Sequence, residues 1–307
     1  NYIFLYLCQK NQQIMALDIN LGEKNSVKEQ ISIIALSLIN AVFTLKYAER
    51  AVDFYLIISL IVGVTTYLFL NYGYRLSNKI SQKRLLIVTI GLFLIFITSS
   101  AIVFLKYPVE KLNVDRWSMI TAFWETAESG EYAFYAKSHM ENYAAPMPFY
   151  FILAYPFYLI GELGYFSILG LVVFLVFIFF ASSKEQNSNS LFYVLVFLVT
   201  SPFSLWEIIS RSNLFLNSAL IIVAIHYFLD IKNNLVTTKK MIISGILLGL
   251  FLSMRNVYVL VYIIAFIYAL RLKVYSFKQL FIVGLIALAT FIILALVSLF
   301  ITFPDVE

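Results

Sequence analysis

Long apolar stretches recur along this chain, each closed by a short polar break. A bilayer core needs about 20 apolar residues per helix. By that measure the pattern predicts nine membrane spans, over roughly 31–47, 54–74, 84–105, 163–182, 190–206, 213–229, 241–254, 257–271 and 278–303. The clearest are 84–105 (RLLIVTIGLFLIFITSSAIVFL), 163–182 and 278–303. Asn40 and Lys46 interrupt the first, and 241–254 and 257–271 are short. A polar stretch, 106–146, divides the series. The apolar piece behind it, 146–163, is rich in aromatic residues and broken by Pro148 and Pro156.

Composition agrees with the pattern. Of 307 residues 62% are hydrophobic and 13% charged, against roughly 45–50% and 25% in soluble domains. Mean hydropathy is +0.88. A water-soluble domain, a disordered chain and a nucleic-acid binder are excluded, so the expected partner is a lipid bilayer and no nucleic acid. The single cysteine, Cys8, allows no internal disulfide, and two histidines, His139 and His226, do not make a His-rich metal site. No cleavable signal peptide is evident. The chain lacks an initial Met and stops at Asp305-Val306-Glu307 behind an apolar run, so a fragment is expected.

Charge decides the topology. With 146–162 kept on one side, 14 of the 22 Lys and Arg fall on the cytoplasmic side; if 146–162 crosses, only nine do. Cytoplasmic loops are enriched in Lys and Arg, which favours the first arrangement. Residues 146–162 are then an interfacial or re-entrant helix pair on the outer face, with Tyr and Phe at headgroup level. Twelve of the 17 Asp and Glu, and all three Trp, fall outside as well.

That side concentrates the chemistry. In 115–131, DRWSMITAFWETAESGE, Ile120, Phe123, Trp124 and Ala127 recur at helical spacing, predicting an amphipathic helix lying on the membrane. Asp115 stands near its N-cap and Gly130 closes it. Asp115 is either a simple helix cap or a carboxylate held at the surface as a general base or metal ligand. Glu125, Glu128, Glu131, His139 and Glu141 are further loop candidates, although most such groups are only solvated. Arg255-Asn256, inside LSMRNVYVL, sets an arginine between two apolar spans, where it must be paired or sit at an outer mouth.

The order Asp115…Gly130…Pro146-Met147-Pro148-Phe149-Tyr150…Gly161 resembles the first external loop of the GT-C membrane glycosyltransferases. These include the aminoarabinose transferases of lipid A, the protein O-mannosyltransferases and the oligosaccharyltransferase catalytic subunit. The resemblance implies an all-α polytopic membrane protein with a seven-helix core over 84–307, and an N-terminal extension with two membrane helices over 1–83. It implies a sugar moved from a polyprenyl-phosphate donor to a lipid, glycan or protein acceptor, with Asp115 essential. Where many members carry a second acid, this chain has Arg116. In the second external loop, Glu207 is the nearest carboxylate and Asn213 or Asn217 stands in the acid's place.

Arg116, Glu207, Arg211, Asn213 and Arg255 are the expected substrate-binding residues. The cofactor is open, with a divalent metal such as Mg or Mn the candidate. A lipid-linked polysaccharide polymerase or ligase, and a transporter, are the competing functions. The transporter predicts deep charges and broken helices in paired halves, and no half-repeat is visible.

Overall fold

The computed structural model describes residues 27–49, 52–77, 80–107, 114–145, 147–182, 187–229, 236–255 and 257–301. Cys8, Pro146, Asn256 and the Asp305-Val306-Glu307 end lie outside the described residues. Among the described residues the protein is all helical, with one isolated bridge between Lys137 and Tyr143.

Among the described residues twelve helices follow in order: α1 (Val27–Ala48), α2 (Tyr55–Ser77), α3 (Gln82–Lys106), α4 (Arg116–Glu128), α5 (Pro148–Ile160), α6 (Gly164–Ala181), α7 (Asn187–Thr200), α8 (Pro202–Ile209), α9 (Leu214–Leu229), α10 (Thr238–Leu252), α11 (Tyr258–Arg271) and α12 (Phe277–Ile301). A short 3-10 turn, Ala133–Tyr135, lies between α4 and α5.

Five of them, α1, α2, α3, α6 and α12, are long and apolar enough to cross a membrane. This is an integral, multi-pass architecture. Of the nine expected spans, those of α9 and α11 are apolar but shorter, as is α5, which was not expected to cross; α10, at 15 residues, is shorter as well. The expected helix over 190–206 is instead two, α7 and α8, meeting at 70° as a broken span or re-entrant loop. The cause is Ser201-Pro202. Proline has no N–H to continue a helix but suits the first position of a new one. Ser201 Oγ accepts from the Ser204 N–H at 3.4 Å, capping α8.

The helices divide into two units, residues 1–105 with 174–209, and 106–173 with 210–307, the division falling within α6. In the first, α1 and α2 form an antiparallel pair. Gln30 meets Asn71 at one end (3.3 Å), and Ser59 Oγ donates to the Ala41 carbonyl (2.6 Å) toward the other. Tyr193 of α7 donates to the Leu70 carbonyl and stacks on Phe69. Asn40, which interrupts the first apolar run, is buried and accepts from Ser201 Oγ at 2.6 Å. A polar side chain in an apolar helix is kept where it finds such a partner.

In the second unit, α10 and α12 run parallel, since Gly245 faces Ile286 and Gly249 faces Ala287 and Thr290. Small residues four apart let two helix backbones approach closely. Gly170 of α6 likewise admits the backbone of Phe215 and Leu216.

The segment behind Asp115 is helical from Arg116 to Glu128, as its periodicity predicts, and Gly130 follows at φ 80°. Part of its apolar face packs on α5. Phe123 lies flat on Phe151 of α5, with ring centroids 3.9 Å apart, and the Trp124 indole donates to the Phe151 carbonyl at 3.2 Å. The expected helix pair over 146–162 is one helix: Pro148 opens α5, Pro156 sits inside it at the loss of one backbone bond, and Gly161 at φ 80° ends it.

Two glycines test this packing in opposite directions. A Cβ on Gly249 would stand 2.7 Å from the Thr290 Cβ, whereas one on Gly91 would meet nothing within 4 Å. Gly249→Ala should destabilise the protein by about 1–3 kcal/mol through overpacking. Gly91→Ala should be neutral or stabilising by up to about 1 kcal/mol through helix propensity. Thermal unfolding of the two purified variants in one detergent checks both.

Candidate functional site

Asp115 stands at the N-cap position of α4, yet its carboxylate makes no cap hydrogen bond. It turns instead to the loop behind α4. Asp115 Oδ2 accepts from Asn142 Nδ2 at 2.5 Å and from Ser138 Oγ at 3.3 Å. Among the described residues, Oδ1 accepts no hydrogen bond. The simple-cap alternative does not describe this group.

The donors come from a tight turn. The Ser138 N–H donates to the Asn142 carbonyl at 2.9 Å, and the Glu141 N–H to the Ser138 carbonyl at 2.9 Å. A second contact ties the turn to α4: Ser118 Oγ and His139 Nδ1 are 2.7 Å apart, and the His139 ring stacks on Trp117.

Arg116 reaches the α8–α9 turn, where its guanidinium donates to Ser212 Oγ. Its carbonyl accepts from the Tyr150 hydroxyl at 3.3 Å. Tyr150 is buried on α5, and burial pushes its hydroxyl well above the ordinary tyrosine range. The charges of Arg255 and Arg116 pull it back down, and Asp115 pushes it up. One hydroxyl thus feels both guanidiniums and the carboxylate. Arg255 is carried there by the α10–α11 turn, which is tied to the start of α5 by a 3.1 Å bond from the Phe149 N–H to Ser253 Oγ.

The other expected residues divide. Arg211 is buried, in a left-handed conformation (φ 51°), with its guanidinium 3.3 Å from Glu162 Oε1 and 2.9 Å from the Tyr107 carbonyl. Glu162 Oε1 also accepts from the Gly164 N–H at 2.6 Å. Arg211 therefore fastens Tyr107 and the α5–α6 turn to the start of α9. Asn213 follows Ser212, buried, with its Oδ1 unpartnered, and both amide atoms of the fully buried Asn217 are unpartnered too. Glu207 belongs to the first unit, buried on α8. Of the loop glutamates, Glu128 accepts from Tyr158 at 3.0 Å and Glu141 pairs with Lys137 at 3.1 Å. Glu125, Glu128, Glu131 and Glu141 are all exposed.

Asn142, Ser138, Ser118 and Ser212 carry this arrangement without having been singled out by the sequence, and Tyr150 entered only as part of the Pro146–Tyr150 stretch. Within 137–142 only Ser138 and Asn142 are turn formers, and Ser118 and Ser212 carry no local signal.

What gathers here is one carboxylate with an open oxygen, beside two guanidiniums and a buried hydroxyl. Net positive charge suits an anionic ligand, and the carboxylate suits a proton acceptor. Among the described residues no three His, Cys, Asp or Glu side chains converge, so no all-protein metal cage is present among them. No protein-family model, curated protein or solved structure matches the chain.

The Arg211–Glu162 pair gives a direct test. The guanidinium side is 1% exposed and the carboxylate side 23%. Removing one partner of a buried pair leaves an uncompensated charge, a loss of about 3 kcal/mol. Glu162→Gln should therefore lower the thermal midpoint clearly, while Glu131→Gln, on an exposed carboxylate, should not. Thermal melts of the two variants in parallel decide it.

Proposed function

We propose that the second unit is the catalytic part of a membrane glycosyltransferase. It moves a sugar from a polyprenyl-phosphate donor to a lipid, glycan or protein acceptor on the outer face of the membrane. The observation that carries this reading is the Asp115 carboxylate, turned off its own helix with Oδ1 open, while the neighbouring Arg116 accepts the Tyr150 hydroxyl on its carbonyl and turns its guanidinium to Ser212. The resemblance of the 115–161 loop to the GT-C first external loop supports the sugar-transfer chemistry. The excess of Lys and Arg in the remaining loops supports the outer location.

The step is a substitution at the anomeric carbon. The acceptor oxygen forms a bond to that carbon as the bond to the phosphate oxygen breaks, and Asp115 Oδ1 takes the acceptor proton. The polyprenyl phosphate leaves with both electrons of the broken bond. Its growing charge is met by the guanidiniums of Arg116 and Arg255, which act where charge develops. Arg211, committed to Glu162, holds the turns in place. Attack from the face opposite the phosphate inverts the anomeric centre.

The test substitutes Asp115→Asn and Asp115→Ala. Transfer from radiolabelled polyprenyl-phosphate sugars is measured in membranes, with expression checked alongside. Loss of a positioned base should lower the rate by about 10²–10⁴-fold. Variants that match an active wild type would move the base elsewhere. A wild type that binds polyprenyl phosphate, transfers no sugar and depends on its arginines would point to a polymerase or ligase. One that binds no polyprenyl phosphate would favour a transporter, for which the 70° break between α7 and α8 is the one structural argument.

A further inference from the structure

An aspartate at an N-cap ordinarily accepts a hydrogen bond from the backbone N–H two or three residues on. Asp115 has the position and lacks that bond. Something outside the helix competes for its carboxylate, and the competitor is the turn at 138–142. We infer that this turn is a positioning device: Asn142 and Ser138 hold Asp115 Oδ2, pull the carboxylate off the helix end, and leave Oδ1 as the oxygen that takes the proton. The inference rests on the reading of Asp115 as the base, and makes Asn142 and Ser138 positioning residues for it.

The turn is built to hold that geometry. Ser138 is buried, and its Oγ accepts from the Met140 and Asn142 N–H groups, each at 3.3 Å, while donating to Asp115. Glu141, directly before Asn142, is in the left-handed region at φ 62°. A non-glycine residue holds that conformation only where its surroundings enforce it, and such residues concentrate at functional sites. The Lys137–Tyr143 bridge and the Lys137–Glu141 pair close the turn from outside.

The turn also grips α4 at a second point. The His139 N–H donates to Ser118 Oγ at 3.4 Å, its Nδ1 lies 2.7 Å from the same oxygen, and Ser118 Oγ lies 3.1 Å from the Asp115 carbonyl. Two anchors, at residues 115 and 118, fix the orientation of the turn as well as its distance. Asn142 and Ser138 are neutral donors, so they orient the carboxylate without setting a further charge against it. The charged and titratable groups of the elements packed against it are Arg116 on its own helix, Tyr150 of α5 with the charge of Arg255 acting on it, and Lys137, His139, Glu141 and Tyr143 of the turn.

Asn142→Ala and Asn142→Asp, made in the whole chain and assayed in membranes, test this. Asn142→Ala should lower kcat about tenfold with the donor KM within twofold, and should not lower the thermal midpoint, because the released carboxylate is free to cap α4. Asn142→Asp should move the acid limb of the pH–rate profile to higher pH, since a second carboxylate against Asp115 favours its protonated form. A second readout needs no activity: carbodiimide-driven amide labelling of Asp115, followed against pH by peptide mass spectrometry. Its midpoint should move up by about one pH unit in Asn142→Asp.

An unmoved labelling profile overturns the inference, as does an Asn142→Ala enzyme with unchanged kcat. A loss of activity accompanied by a lower thermal midpoint and an unmoved acid limb overturns it too, by showing only a structural role. A wild type without sugar transfer overturns the function proposed for Asp115. The labelling profile then decides separately whether the turn holds this carboxylate.

Discussion

A helix in hydrocarbon has no water to satisfy a polar group, and that constraint organises the protein. It dictates helices wherever the chain is apolar. It also dictates that each polar side chain drawn into them finds a partner or carries a cost. Asn40 finds Ser201 across the first unit. Arg211 finds Glu162 and the Tyr107 carbonyl in the second. These contacts do what a large soluble core does elsewhere, because apolar surface gains little by leaving lipid.

The same constraint explains why the chemistry gathers where it does. The long apolar helices offer few polar atoms, so charged side chains collect at their ends and in the connecting turns. α4 and α5 make the most of this. Their faces join through Phe123, Trp124 and Phe151, and their N-terminal ends bring Arg116, next to Asp115, into contact with Tyr150. Aromatic stacking between α4 and α5 fixes the short helix that carries Asp115 and Arg116. Arg211 is the useful contrast. As an isolated letter it is as good a candidate for an anion as Arg116 or Arg255, but its guanidinium is engaged with Glu162 and the Tyr107 carbonyl.

Much of the local structure was legible. The period of Ile120, Phe123, Trp124 and Ala127 announced α4, and Gly130 its end. Other local signals needed weighing against hydropathy. Ser201-Pro202 is a helix-start pair inside an apolar run, and the proline chemistry prevailed over the run, breaking one span into two helices. Pro156 went the other way: α5 absorbs the missing hydrogen bond and continues to Gly161.

The sequence by itself determined the class of molecule, an all-helical multi-pass membrane protein. Burial of apolar residues in lipid depends on composition and run length, which are local properties of the chain. It also determined that Asp115 opens a helix. Only the tertiary structure decided that this carboxylate leaves its helix for Asn142 and Ser138, that Tyr150 lies between the influence of Arg116 and Arg255, and that Arg211 is bound to Glu162. Hydrogen bonds between residues 23 to 49 positions apart leave no periodicity to read. They exist because aromatic packing and close glycine contacts bring distant turns within about 3 Å of one another.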